Sequence, residues 1–192
     1  QSTKVQARIV GPMAEVEIRQ VFYNPAKSPG IGHYTFPLSS RAVVKNLDFW
    51  AGDSPLRPRA SAAKAQPGIS AILGPVAAQQ SVEVCLTYVQ EIQEDEILGA
   101  FCFRQVCPEP EDGSQLEVLI DLEMPDLCIE SLASTQHAVW RKISENHLRI
   151  RLNSSRPRLQ RDFLLCYQSR SRPRGQLYSD GKHFLIHLQP SN

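Results

Sequence analysis

Gly11-Pro12-Met13-Ala14-Glu15-Val16-Glu17-Ile18-Arg19-Gln20-Val21-Phe22-Tyr23-Asn24-Pro25, followed by Tyr34-Thr35-Phe36-Pro37-Leu38, is the stretch that decides the fold. From Ala14 onward the small or apolar Ala14, Val16 and Ile18 alternate with Glu15, Glu17 and Arg19. A period of two is expected when one strand face is buried and the other is wet. Asn24-Pro25 then removes a backbone donor and biases Asn24 away from the helical region, and Pro29-Gly30 and Gly32 add turn chemistry, so the chain reverses here. His33 to Phe36 resumes an extended pattern, and Pro37 fits a strand end or a sheet edge.

Working outward, short extended runs recur along the chain: Ala42 to Trp50, Ile69 to Leu73, Ser81 to Val89, Gly99 to Val106, Leu116 to Met124, Ile129 to Ser134, Ala138 to Ile143, His147 to Leu152, Asp162 to Tyr167 and Phe184 to Leu188. Turn residues separate them, with Glu145-Asn146 placed for a tight hairpin. Strands at this density, with no long helical pattern, predict an all-β fold, an antiparallel β-sandwich with little helix. Arg57 to Gly68, rich in Ala, Ser and Pro, reads as a loop or at most a short helix.

With 192 residues, 42% of them hydrophobic, the chain can bury a substantial core as one large β domain or one domain and a tail. Its formal charge is only +1, but Glu91 to Glu130 holds twelve acids and one base, whereas Arg141 to Arg174 holds ten bases and two acids. The expectation is an electrostatically polar molecule. No apolar run approaches the roughly 18 residues of a membrane helix. Gln1 begins no signal-peptide core, and the missing initiator Met suggests a piece of something longer. Five cysteines, Cys85, Cys102, Cys107, Cys128 and Cys166, contain no Cys-x-x-Cys pair. Cys85, Cys102 and Cys166 lie in apolar runs and read as small hydrophobes, which points to a reducing, cytoplasmic compartment and leaves secretion open.

The opening strand ending in Phe-x-Asn and the following Phe-Pro-Leu resemble a VIT domain (vault protein inter-alpha-trypsin domain). Ile69 to Gln90, with its Leu-x-Tyr, Ile129 to His137, and Arg161-Asp162-Phe163-Leu164-Leu165 are similar to later segments of that family in the same order. The resemblance covers most of residues 4 to 168. It implies a VIT-like domain over 1–168, and an Arg/Pro-rich linker and final strand over 169–192. Two departures stand out: Arg57 to Gly68 is shorter than the family's Ala-, Tyr- and Gly-rich stretch, and Cys107-Pro108-Glu109-Pro110 stands where Pro-Arg-Tyr is usual. In the family a von Willebrand type A domain commonly follows, and Gly181 to Pro190 looks like its lead-in. The Asp-x-Ser-x-Ser metal motif of that second domain is absent from these residues.

No catalytic or cofactor constellation emerges from the sequence. His183 and His187 are four apart, about 13 Å in an extended segment, too far to share a metal. His33, His137 and His147 are scattered, and the acids of Gln90 to Glu96 read as a solvated loop. There is no glycine-rich phosphate loop. The resemblance therefore implies a non-catalytic interaction or structural module whose partner is another protein or an adjacent von Willebrand type A domain, with no small-molecule substrate. The rival expectation is a polyanion-binding module, for a sulfated glycan or nucleic acid, using Arg156, Arg158, Arg161, Arg170, Arg172 and Arg174.

Overall fold

The computed structural model describes residues 2–60, 68–95, 98–103, 115–124, 127–135, 138–152, 163–169, 175–179 and 184–188. Along the chain the strands are β1 (Ser2–Val10), β2 (Met13–Tyr23), β3 (Gly30–Pro37), β4 (Ala42–Ala51), β5 (Ser54–Leu56), β6 (Arg59–Ala60), β7 (Gly68–Val76), β8 (Ser81–Glu91) and β9 (Gln93–Asp95). They continue with β10 (Leu98–Phe103), β11 (Gln115–Glu123), β12 (Leu127–Ser134), β13 (Ala138–Ser144), β14 (His147–Leu152), β15 (Phe163–Ser169), β16 (Gly175–Ser179) and β17 (Phe184–Leu188). Among the described residues there is no helix.

One eight-stranded sheet, ordered β13-β14-β11-β1-β2-β8-β4-β5, carries the fold. Its inner face is built by alternation: Val5, Ala7 and Ile9 of β1, Ala14, Val16 and Ile18 of β2, Val82, Val84, Leu86 and Tyr88 of β8, and Leu116, Val118, Ile120 and Leu122 of β11 are all buried. Each Val, Leu or Ile side chain among them contributes about 1.5–3 kcal/mol on full burial. The opposing layer comes from a three-stranded sheet, β3-β7-β6, and a four-stranded sheet, β12-β15-β10-β9. Tyr34 and Phe36 of β3, Leu73 of β7, and Phe163, Leu165 and Tyr167 of β15 join the same apolar cluster, so the layers share one core. Strands β16 and β17 pair separately as a two-stranded antiparallel sheet.

The β-sandwich expected from alternation is present, with particulars that local pattern does not supply. Strand β1 alternates as clearly as β2 and pairs with it from Val10↔Met13 to Ser2↔Val21. Gly11, at φ 52°, provides the positive-φ position of the tight turn between them. On its other side β1 pairs in parallel with β11, from Ser2↔Gln115 to Val10↔Glu123. In β4 the pairing with β8 changes parity: Ala42 and Val44 align with Gln90 and Tyr88, whereas Leu47 and Phe49 align with Leu86 and Val84. The bulge between Val44 and Asn46 absorbs that one-residue change of phase. Pro37 ends β3, which lies at the edge of its sheet. The Glu145-Asn146 turn joins β13 to β14 as expected.

Two sequence readings change. Gln93–Asp95, within the acidic run read as a loop, forms β9 and pairs with β10. Cys85 and Cys166 are free, as their context suggested, and half-buried; their strand neighbours Val84 and Leu86, and Leu165 and Tyr167, occupy the core face. Within Arg57 to Gly68, Arg59–Ala60 is strand β6 paired with β7, and residues 61–67 lie outside the described residues.

Gly68 is required by close approach: a Cβ there would stand 2.6 Å from the Phe36 carbonyl oxygen. Gly74, six residues further along β7, would have nothing within 4 Å of an added Cβ. Gly68→Ala is expected to lower stability by about 1–3 kcal/mol through forced separation of β3 and β7. Gly74→Ala is expected to be tolerated, and thermal unfolding of the two variants measures the contrast.

Candidate functional site

The Phe22-Tyr23-Asn24-Pro25 segment ends β2 and builds one wall of an open apolar cleft between the layers. Asn24 anchors it. Its backbone N–H donates to Gln80 O at 2.9 Å, and its Oδ1 accepts from the Ala26 N–H at 3.1 Å. Its Nδ2 lies 3.0 Å from Ala77 O, 3.2 Å from Val76 O and 3.3 Å from Ser28 O. One short amide thus ties the β2–β3 loop to the β7–β8 turn, a role that needs a donor and an acceptor on the same side chain.

The cleft encloses about 250 Å³ between Phe22, Ile31, Tyr34, Leu73, Val76 and Val82, with Tyr23 and His33 also on its lining. Ile31 is 67% exposed. Tyr34 closes the floor, edge-on to Phe22 at 6.1 Å and to Phe49 at 5.5 Å between ring centroids. Its hydroxyl donates to Gln20 Oε1 at 2.9 Å, and Gln20 Nε2 donates to Thr3 Oγ1 at 3.3 Å. Burial drives the Tyr34 phenol pKa upward, so it stays a neutral donor. This chain of polar groups satisfies buried atoms and presents no nucleophile–base pair. Among the described residues no group of three His, Cys, Asp or Glu side chains could hold a metal ion.

The outer face of the large sheet is charged and ordered in rows. Arg141, Arg149, Asp121, Arg8 and Glu15 lie side by side across β13, β14, β11, β1 and β2. Arg149 holds Asp121 through two bonds, 2.9 and 3.3 Å, and His147 reaches the same carboxylate at 2.9 Å. Arg8 holds Glu123 at 3.0 and 3.2 Å, and Lys45 meets Glu15 at 2.6 Å. Burial pushes the Asp121 pKa up, but hydrogen bonds from Arg149 and His147 outweigh it and leave the pKa below its usual value. The Arg8 hydrogen bond lowers Glu123 against the opposing effect of burial. Strands β11 and β14 are hydrogen-bonded neighbours, so Asp121 of the acidic run and Arg149 of the basic run meet directly across the sheet.

The six arginines assigned to polyanion binding, Arg156, Arg158, Arg161, Arg170, Arg172 and Arg174, lie outside the described residues, as do His137 and His183. His33, on β3, borders the cleft and His147, on β14, belongs to the Asp121 cluster, so the two lie on different sheets. The cleft itself was not apparent from sequence, although the Phe-x-Asn motif that frames it was. Among the described residues no helix is long and apolar enough to cross a membrane.

Residues 1–67 match the family model of the Vault protein inter-alpha-trypsin domain (VIT), in agreement with the sequence resemblance. A search of curated protein sequences finds no significant match. Among solved structures, a putative nutrient binding protein of Legionella pneumophila superposes with a TM-score of 0.56 at 9% identity, covering 87% of this chain and 65% of its own. An M1 zinc metallopeptidase of Deinococcus radiodurans gives 0.55 at 10% identity, with coverage of 97% and 46%. Aminopeptidase A of Legionella pneumophila gives 0.50 at 10% identity, with coverage of 96% and 23%. The chain spans less than two thirds of the length of each of these chains, and at such identities the likeness is one of fold alone.

Asn24→Ala is expected to cost about 1–3 kcal/mol, since it strips partners from several carbonyls at once, and to increase hydrogen exchange in residues 24–30 and 76–80. Denaturant titration with exchange mass spectrometry reads both effects. Asp121, whose folded pKa lies below the ordinary 3.8, contributes stability that is complete above that value and is lost as pH falls through the depressed folded pKa. Arg149→Gln is therefore expected to be less stable than the parent at neutral pH, with the difference shrinking as pH falls below 3.8 in a series of thermal melts.

Proposed function

We propose that this chain, whose first 67 residues match the VIT family, is a non-catalytic module that binds another protein or supports a neighbouring domain of the same polypeptide. The observation that carries the reading is the open cleft beside Asn24. Its lining is apolar, Ile31 stands exposed at its rim, and the edge strand β3 forms its flank. Such a cleft suits an apolar side chain presented by a protein surface, because it offers area and shape with few polar groups to orient a small substrate. The buried polar groups at its floor are engaged with one another, so they serve the fold. Polyanion binding through Arg156 to Arg174 is the second reading; the exposed Arg141 and Arg151 on the adjoining β13–β14 hairpin favour it.

A photo-crosslinking benzoylphenylalanine in place of Ile31, in the full-length protein within its own cells, tests the first reading. A reproducible crosslink is expected, to one partner species or to another part of the same polypeptide, and none from the same residue in place of Gln6 on the charged face. Equal, diffuse labelling from both positions would sink the proposal.

A further inference from the structure

The large sheet ends differently on its two sides. At one end β5 is three residues long and contains Pro55, features that blunt an edge against further pairing. At the other, β13 runs seven residues without proline. It pairs with β14 on one side, and among the described residues no strand pairs with its other side. Its register shift is confined to the turn end, between Lys142 and Ser144. The open edge also carries apolar side chains: Val139 is 45% exposed and Trp140 47% exposed.

Charge then says which strand fits. Across the outer face the row reads Glu15, Arg8, Asp121, Arg149 and Arg141. Signs alternate until the last step, where Arg141 stands directly opposite Arg149. Like charges directly opposite one another are unfavourable in a sheet. Asp121 is already held by Arg149 and His147, and Arg141 has no acidic partner among the described residues. Arg151, opposite Val139 and in the next row, is likewise exposed and without an acidic partner among the described residues. The position that would restore alternation is the one beyond Arg141, across the open edge.

We propose that β13 accepts an extended acidic segment of a partner protein as a ninth strand, with a carboxylate set opposite Arg141 and an apolar side chain covering Trp140 on the other face. Main-chain bonds along the edge would provide affinity, and the side-chain rows would select the sequence. A second copy of this chain is a poor occupant by the same edge, since β13 against β13 brings Arg141 and Lys142 of each copy together. The proposal rests on the protein-interaction reading but uses a surface separate from the cleft.

The test uses the 192-residue chain and a blocked ten-residue peptide of alternating glutamate and valine, followed by fluorescence anisotropy and backbone amide NMR. Two control peptides carry lysine for glutamate, or N-methyl groups along one backbone edge; heparin serves as a polyanion that cannot form a strand. The acidic peptide is expected to bind, to shift and protect amides of 138–144, and to lose affinity on N-methylation. Arg141→Glu is expected to weaken acidic-peptide binding by about three- to tenfold and to improve lysine-peptide binding, consistent with the size of cross-strand charge pairs. Trp140→Ser, with a melting temperature checked against the parent, is expected to weaken both. Three results would overturn the proposal: no binding of the acidic peptide, shifts confined to other strands, or N-methylated peptide and heparin competing as well as the unmodified peptide. The last would assign the arginines to polyanion binding. None of these results bears on crosslinking from Ile31, so the edge can fail while the cleft reading stands.

Discussion

Strand β1 is the element on which the architecture depends, because it pairs along its whole length on both sides. Its nine residues join β2 through a tight turn and β11 in parallel, bringing Ser2 beside Gln115. Parallel neighbours cannot be joined by a hairpin. The chain between β1 and β11 must therefore travel away and return, and in doing so it lays down β2 to β10, including the β3-β7-β6 sheet of the covering layer. The burial of Thr3, Val5, Ala7 and Ile9 fixes the register, since a slip of one residue would turn Lys4, Gln6 and Arg8 into the core. The same register sets Arg8 beside Asp121 and Glu15, so the core and the outer charge rows are two faces of one constraint.

What could be read from the sequence was what is encoded locally. Alternation marks β2 and β8, Pro37 marks the end of β3, and Glu145-Asn146 marks the hairpin, because each depends on neighbours a few residues apart. Alternation equally marks β1, where Val5, Ala7 and Ile9 separate Gln6 and Arg8. The parallel partner of β1 lies more than a hundred residues away, and periodicity carries no information about such a pairing. In β4 the signal is present but inverted: Ala42 and Val44 share one parity and Leu47 and Phe49 the other, which is the sequence mark of the bulge at Lys45.

The candidate site was legible only in outline. Phe-x-Asn can be recognised as a motif, yet the reason for the asparagine lies in carbonyls of Ser28, Val76 and Ala77, two of them supplied by a turn some fifty residues on. The cysteines show a related limit. An apolar triplet such as Val84-Cys85-Leu86 puts its middle residue on the opposite face in a strand, so apolar context alone does not say which face Cys85 takes. Linear charge counts do not say where opposite charges meet: antiparallel pairing sets Arg149 of β14 against Asp121 of β11, twenty-eight residues away in sequence.

Charge pairing is incomplete at the end of the row, and the position of the surplus gives it a meaning. A cation in the middle of the sheet can recruit an acid from either neighbouring strand, as Arg8 does from β11. A cation on an edge has one neighbouring strand, and for Arg141 that strand offers Arg149. Positive charge on an edge repels like-charged strands, including another copy of β13, and attracts acidic ones; one arrangement of side chains both protects the edge and selects what may pair with it. Solubility alone could be met by placing the charges on a short or proline-broken strand, as the β5 end of the sheet is built. A seven-residue, proline-free edge flanked by exposed Val139 and Trp140 retains the capacity to pair, with its charge deciding the partner.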